Sequence, residues 1–161
     1  MRQVPQYKLD PKIQKVWRIS GLIKLVFALA ILLPLSFLIA HLSSIPLWML
    51  LLVVCAIAIL IFIIEIVLYP RIAFDRWRYE VNENEIDIMH GFIWIKRTVI
   101  PLVRVQNVET SQGPILRAYT LSEVVISTAG GSSKIPGLTP EDADKLRDRV
   151  AVLARIAQED V

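Results

Sequence analysis

The side chains able to carry out nucleophilic, acid–base or metal chemistry are few in this chain and far apart. The sequence contains two histidines, His41 and His90, and one cysteine, Cys55. Catalytic triads and zinc sites need three or more such groups brought together, and a lone cysteine has no disulfide partner in the chain. No Ser-His-Asp set stands in evident register. We therefore expect no enzyme activity, no metal and no cofactor.

A glycine-rich loop could cradle phosphate groups, and Gly130 and Gly131 are adjacent in the sequence. Alternating residues precede this pair at 124–128, and a short extended segment follows at 134–136. Such a position between two strands is more typical of a hairpin turn than of a phosphate-binding loop. We interpret the pair as a turn, so the sequence offers no glycine-rich loop for binding the phosphates of a nucleotide.

Two ionisable residues, Lys24 and Glu65, lie within long apolar runs at 22–42 and 47–68. Each run has roughly the twenty residues that an α-helix needs to cross the hydrocarbon core of a bilayer. Residues 41–46, which join the runs, include no Asp, Glu, Lys or Arg, and so short a connection predicts an antiparallel transmembrane hairpin.

Antiparallel helices place Lys24 and Glu65 at similar depth near one membrane boundary. We predict an ion pair between them across the hairpin. Each side chain could instead reach water separately from this depth. A proton or ion pathway is a further alternative, but one acid and one base at the edge leave the centre of the bilayer without polar groups. Pro34 is interpreted as a tolerated kink.

Basic residues flank the hairpin on both sides and predict its orientation. The flanking cations are Arg2, Lys8, Lys12, Lys15 and Arg18 before it, and Arg71, Arg76 and Arg78 after it. Because Lys and Arg near helix ends are retained in the cytoplasm, we expect a two-helix, multi-pass protein of the cell membrane with both termini cytoplasmic. His41 then lies near the outer face and His90 in the cytoplasmic part, so they cannot share a site.

A cleaved signal peptide is the competing interpretation of the first run. The run is longer than a signal-peptide core, and a second apolar span follows at once, so we treat it as retained. The predicted organisation is a basic cytoplasmic segment at 1–20, a transmembrane hairpin at 21–69, and a cytoplasmic domain at 70–161. The net charge of +3 is concentrated beside the membrane, which makes nucleic acid an unlikely partner.

The cytoplasmic part has the pattern of short strands followed by one helix. Alternation in 77–81 and 86–88 around a turn at 82–84 predicts a hairpin, and further extended segments follow at 92–100, 101–108, 124–128 and 134–136. Apolar residues then recur every three or four positions from Ala143 to Ala157, after a helix start signalled by Thr139 and Pro140. The fold class is α+β, and the pattern permits a pleckstrin-homology-like (PH-like) β-sandwich or barrel with a C-terminal amphipathic helix, among other arrangements.

The stretch IPLVRVQNVETSQGPILRAYTLSEVVISTAGG, followed by IPGL and AxxLRD, resembles the signature of bacterial PH-domain membrane proteins of the YdbS-like family. VWR before the apolar runs and WRYE after them fit the same family, and Tyr119 to Ser122 departs from it where relatives often carry a glycine. The resemblance implies a membrane-anchored, non-enzymatic PH-like domain of poorly defined role. Such proteins are often encoded beside a larger relative with several such domains.

Our first functional hypothesis is an interaction module that binds a larger PH-domain membrane protein or a second copy of itself. The candidate partner-binding loop is rich in small polar residues and contains a Gly-Pro break, although a structural turn explains it equally well. Its candidate residues are Ser111, Gln112, Gly113 and Arg117.

Two alternatives stay open. One is weak binding of anionic membrane lipids through Arg71, Arg76, Arg78, Lys96 and Arg97, although positive-inside topology already explains the three juxtamembrane arginines. Phosphoinositide binding through the first hairpin is disfavoured because that hairpin carries Glu80, Glu83, Glu85 and Asp87, whose carboxylates repel phosphate oxygens. The other alternative, resting on the family resemblance, is an envelope-stress or antimicrobial-peptide resistance factor.

Overall fold

The computed structural model describes residues 4–159, so Arg2 of the predicted basic flank lies outside the described residues. The chain forms two compact units. One comprises the N-terminal segment through Ile13 together with the chain from Ile72 onward, and the other is Gln14–Arg71. The border after Arg71 falls where the composition of the sequence changes from apolar to mixed.

Two long helices form the helical unit, and their ends at Ile13 and at Ile72–Arg76 belong to the other unit. The first is α1 (Ile13–Leu42), with Pro34 inside it. The second runs without a break through α2 (Leu47–Ile61), a π-helical segment (Phe62–Leu68) and α3 (Tyr69–Arg76). Both helices extend beyond the predicted spans of 22–42 and 47–68 at the ends away from their connecting loop, because the flanking residues are mostly compatible with a helix.

Both helices are long and apolar enough to cross a membrane. Only 6% of the residues in each apolar window are buried, and large side chains such as Phe27, Phe37 and Leu52 are more than 60% exposed. Exposed apolar surface of this extent is unfavourable in water and matches a lipid environment.

The second unit contains two three-stranded antiparallel sheets, with strand orders β1-β2-β3 and β4-β5-β6. The predicted hairpin turns at 82–84 and at Gly130 and Gly131 are confirmed by the strand pairing. The strands are β1 (Arg78–Val81), β2 (Glu85–Gly91), β3 (Ile95–Pro101), β4 (Val105–Ser111), β5 (Ser122–Thr128) and β6 (Gly131–Leu138).

A C-terminal helix packs on the second sheet. The short helix α4 (Pro114–Ala118), which the sequence analysis missed, comes between β4 and β5, and α5 (Pro140–Glu159) packs against β4 and β5. The backbone N–H of Asp142 donates to Thr139 Oγ1 at 3.2 Å, which confirms the predicted helix cap. The core is fully buried at Leu102, Leu121, Val124, Ile126, Ile135 and Val150. This arrangement confirms the predicted α+β, PH-like fold.

The N-terminal segment belongs to the same unit. The backbones of Tyr7 and Tyr79 exchange two hydrogen bonds of 3.1 and 3.0 Å, and their rings stack with centroids 5.7 Å apart. Farther along, the Asp10 N–H donates to the carbonyl of Gly137 at 2.8 Å, and Ile13 is 1% exposed. Residues that precede the membrane hairpin therefore complete the core of the module that follows it.

Candidate interaction sites

In the helical unit, Lys24 and Glu65 lie side by side. Lys24 Nζ is 2.8 Å from Glu65 Oε2, and the two side chains are 62% and 31% exposed. Gly21, one turn before Lys24, is buried, and a Cβ at this position would lie 2.9 Å from the Glu65 backbone oxygen. Glu65 itself belongs to the π-helical segment, a distortion often associated with function. The helices thus approach closely where the charged pair forms.

The candidate loop between β4 and β5 is partly explained by structure. The Gln112 Nε2 group donates to the backbone oxygen of Leu121 at 2.8 Å, which ties the loop to the entry of β5. Gly113 precedes α4, and its carbonyl accepts from the Arg117 N–H at 2.9 Å. Ser111 and Arg117 are exposed. Of the four candidates, these two leave their side chains most available to a partner.

The five candidate lipid-contacting cations are in different environments. Arg71 is an exposed residue at the end of the helical unit. In the PH-like unit, Arg76 donates to the carbonyl of Phe92, and Arg78 donates to the carbonyl of Trp77 at 2.7 Å. Because carbonyl oxygens carry no net charge, these bonds leave the arginine charges uncancelled. Lys96 is exposed at the start of β3.

Arg97 instead forms an ion pair with Asp87. Arg97 Nη2 lies 2.5 Å from Asp87 Oδ2, and the Asp87 side chain is only 7% exposed. The hydrogen bond to Asp87 raises the pKa of Arg97, with Asp87, Glu85 and Glu80 adding to the effect through their negative charge. A buried carboxylate needs such a partner, so the first role of Arg97 is to hold Asp87 within the sheet.

The turn between β2 and β3 presents an exposed apolar surface, which we call the apolar tip, formed by Ile93, Trp94 and Ile95. These residues are 74%, 86% and 60% exposed. Sequence reasoning missed this surface because it assigned 92–100 to one extended segment. The strand begins only at Ile95, which pairs with Gly91 to close the turn. The available signal was an apolar run directly after a glycine.

The base of the turn is fixed by several contacts. Gly91 has φ +155°, and a Cβ there would lie 1.9 Å from the Trp94 backbone oxygen, so only glycine fits. The indole of Trp77, 8% exposed, stacks on His90 with ring centroids 5.2 Å apart. Burial lowers the pKa of His90, and the positive charge of Lys96 lowers it further. The apolar tip therefore stands on a rigid base.

Charge is distributed unevenly along the first sheet. The segment 88–98 around the apolar tip contains Lys96 and Arg97 but no Asp or Glu. The β1–β2 turn, at the opposite end of β2, carries Glu83 and is flanked by Glu80 and Glu85. One end of the sheet is thus apolar and basic and the other acidic.

An open groove of about 840 Å³ runs beside β3, between the edge of the first sheet and the β5–β6 turn. Its walls include Val99, Val103, Ala129 and Ser132. The cations Lys96 and Arg104 line it, and the lining residues include no Asp or Glu. β3 is an edge strand of its sheet, so the groove contains backbone that can pair with an incoming strand.

A smaller groove of about 350 Å³ lies between the N-terminal segment, β1 and α5. Tyr79 lines it together with Tyr7, Lys145 and Asp142. Burial raises the pKa of Tyr79, and the negative charge of Asp142 raises it further, so its hydroxyl stays protonated. Within residues 4–159, no three His, Cys, Asp or Glu side chains come together in a group that could hold a metal ion.

Two apolar spanning helices, two antiparallel sheets and a C-terminal helix define a membrane-associated PH-like module. The family model "Bacterial PH domain" matches residues 20–154, and the chain belongs to this family. This is not a known enzyme family.

Curated relatives agree with this assignment. The UPF0699 transmembrane protein YdbS of Bacillus subtilis (strain 168) is 40% identical over 161 residues, which cover all of both chains, and this confirms the resemblance to the YdbS-like family. The UPF0699 transmembrane protein YdbT of the same organism is 27% identical over 99 residues, 59% of this chain and 20% of YdbT. No solved structure matches the chain significantly.

Proposed function

We propose that this chain is a non-enzymatic interaction module that assembles with another membrane protein, or with a second copy of itself, at the inner face of the cell membrane. In this proposal both termini are cytoplasmic, as the basic flanks favour. The transmembrane hairpin confines the module to the membrane plane, which raises the effective concentration of a membrane-bound partner without any new contact.

The observation that carries the proposal is the groove beside β3. An edge strand offers unpaired backbone groups, and recognition modules commonly accept an extended segment at such an edge. The groove volume of about 840 Å³ is within the range of binding clefts. We assign the groove, ahead of the candidate loop at Ser111 and Arg117, as the primary contact with the partner.

Charge indicates the kind of segment that the groove accepts. Lys96 and Arg104 line it without a neighbouring acid among the lining residues, so the proposed ligand is an extended segment with acidic side chains. A larger membrane protein of the same family is the favoured source. The similarity to YdbT, which extends over only 20% of that protein, supports the existence of such larger relatives.

Site-specific photocrosslinking in intact cells tests the proposal. A photoreactive amino acid is placed at Ala129 in the groove, at Arg117 on α4, or at Val152 on the exposed face of α5. We expect one stoichiometric crosslinked membrane protein, or a crosslinked dimer, from position 129 and little product from position 152. A product from position 117 alone would move the contact to the candidate loop and overturn the groove assignment.

A groove-filling variant provides the second readout. Ala129→Trp should reduce co-purification of the crosslinked partner at least tenfold, whereas Val152→Trp, which adds comparable bulk to an exposed site, should leave it unchanged. Partner capture that survives Ala129→Trp would contradict the proposal, provided that circular dichroism shows both variants to be folded. The alternative role in resistance to membrane-active peptides stays a prediction, tested by deleting the gene and challenging the cells with such peptides.

A further inference from the structure

The apolar tip is unusual because its three large side chains are exposed although the rest of its sheet is well packed. Trp94 is 86% exposed and Ile93 74% exposed, whereas Ile86 and Ile88 on the same hairpin are 0% and 2% exposed. Large contiguous apolar groups that remain exposed on a folded module mark a contact with a membrane or a partner.

The tip does not rely on disorder to expose these groups. Gly91 allows a turn too tight for any side chain at that position, Arg76 donates to the Phe92 carbonyl, and Trp77 stacks on His90. Because the base of the turn is already fixed, little conformational entropy is lost when the apolar tip contacts a membrane or a partner. The side chains are therefore presented ready for contact.

The charges around the apolar tip indicate what kind of surface it contacts. Lys96 directly follows the apolar tip in the sequence. Arg76 and Arg78 donate hydrogen bonds to neutral carbonyl groups nearby, which leaves their positive charges uncancelled. The acids Glu80, Glu83 and Glu85 are at or near the opposite end of the hairpin. An apolar end beside three cations, with Asp75 next to Arg76 in the sequence and the glutamates toward the far end of the hairpin, complements an anionic bilayer surface.

The chain itself limits the distance to the bilayer. Arg76, which binds the turn, follows Leu68 of the second apolar run by eight residues. Even a fully extended chain of that length spans at most about 28 Å. The anchor of the turn is thus tethered close to a membrane surface.

We propose that the apolar tip inserts into the headgroup region of an anionic bilayer, with Trp94 at the interface and Lys96 against lipid phosphate groups. Tryptophan is favoured at this depth because its ring is apolar and its N–H remains able to donate. The membrane then contacts the module at a second place besides the helices, with Lys96 at the border between the apolar tip and the groove that it also lines.

Depth-dependent fluorescence on the full-length protein tests this. In a Cys55→Ser background, an environment-sensitive dye is attached at Ile93→Cys in the tip or, as the matched control, at Glu83→Cys in the opposite turn of the same sheet. Both proteins are reconstituted into vesicles of phosphatidylcholine alone or mixed with phosphatidylglycerol, with and without brominated acyl chains.

We expect a blue-shifted emission and several-fold stronger quenching by brominated lipid at position 93 than at position 83, with a larger difference when phosphatidylglycerol is present. Adding Trp94→Ser should weaken the quenching at position 93. Equal quenching at both positions would overturn the proposal. A blue-shifted emission at position 93 without quenching by brominated lipid would overturn the proposal too, because that result assigns the tip to a protein contact.

Discussion

Gly21 packs so closely on Glu65 that a methyl group at position 21 would lie 2.9 Å from the Glu65 backbone oxygen and 3.2 Å from its Cβ. Small residues allow helix backbones to approach one another within membranes, where no hydrophobic effect drives helices together. The close approach of the helices at Gly21 also brings Lys24 within ion-pair distance of Glu65.

Gly21→Ala should therefore destabilise the helical hairpin even though alanine is the better helix former. Overpacking against backbone atoms costs about 1–3 kcal/mol, which over most of that range exceeds the gain of about 1 kcal/mol in helix propensity. Thermal unfolding in mild detergent measures the net change. Ala56→Val, which adds more volume at an exposed position, serves as the control, and a stabilised Gly21→Ala hairpin would contradict the packing argument.

The Lys24–Glu65 pair should behave as a coupled unit. Glu65→Gln and Lys24→Met should each destabilise the hairpin more than the double variant does, because each single change leaves one charge without its partner inside the apolar span. The coupling should be about 0.5–3 kcal/mol. Additive effects in the same unfolding measurement would show that both side chains reach water separately.

His90 should make the PH-like module less stable in mild acid. Burial and Lys96 lower its pKa in the folded state below the usual 6.5, so the unfolded chain takes up a proton at higher pH than the folded chain does. Stability is then fully present above about pH 6.5 and decreases as the pH falls through the folded-state pKa.

The His90→Phe variant isolates this effect because phenylalanine keeps a ring against Trp77 but cannot be protonated. The free energy of unfolding is measured with denaturant from neutral pH down to the range where carboxylates titrate. In the native protein it should decrease with falling pH, with a slope smaller than the uptake of one full proton would give. In His90→Phe the free energy of unfolding should depend less on pH. Identical slopes in the two proteins would assign the acid sensitivity to other groups.

Gly137 should be essential for docking the N-terminal segment. Its φ is +66°, and a Cβ there would lie 2.7 Å from Ile13 Cβ. Gly137→Ala should lower the free energy of unfolding by about 1–3 kcal/mol and increase amide exchange in residues 4–13. Gly113→Ala is the control because a Cβ at Gly113 meets nothing within 4 Å; equal effects of the two substitutions would disprove the docking argument.

Local patterns predicted much of this fold. The apolar runs, the Thr139 cap and the turn at Gly130 and Gly131 depend on residues close in sequence, and all three were found as expected. The docking of Tyr7 beside Tyr79 was not predicted, since it depends on a contact across the whole membrane hairpin. α4 was missed because five residues are too few to show a helical period.

The candidate sites divide in the same way. The proximity of Lys24 and Glu65 follows from the antiparallel register of two helices with a short connection, which the sequence makes visible. The role of Gln112 as a donor to Leu121, and the exposure of Trp94, depend on how a turn folds back on itself. An apolar residue in a tight turn has the same sequence pattern as one in a buried strand, so periodicity could not separate them.

The docking of residues 4–13 onto the later strands makes the transmembrane hairpin an insertion within a folded domain. The chain begins the module, leaves it at Ile13, and returns at Ile72. Two covalent connections, rather than one, then join the module to its helices. A fragment beginning after the hairpin would lack part of its own core, because Leu9 and Ile13 are only 3% and 1% exposed in the folded unit.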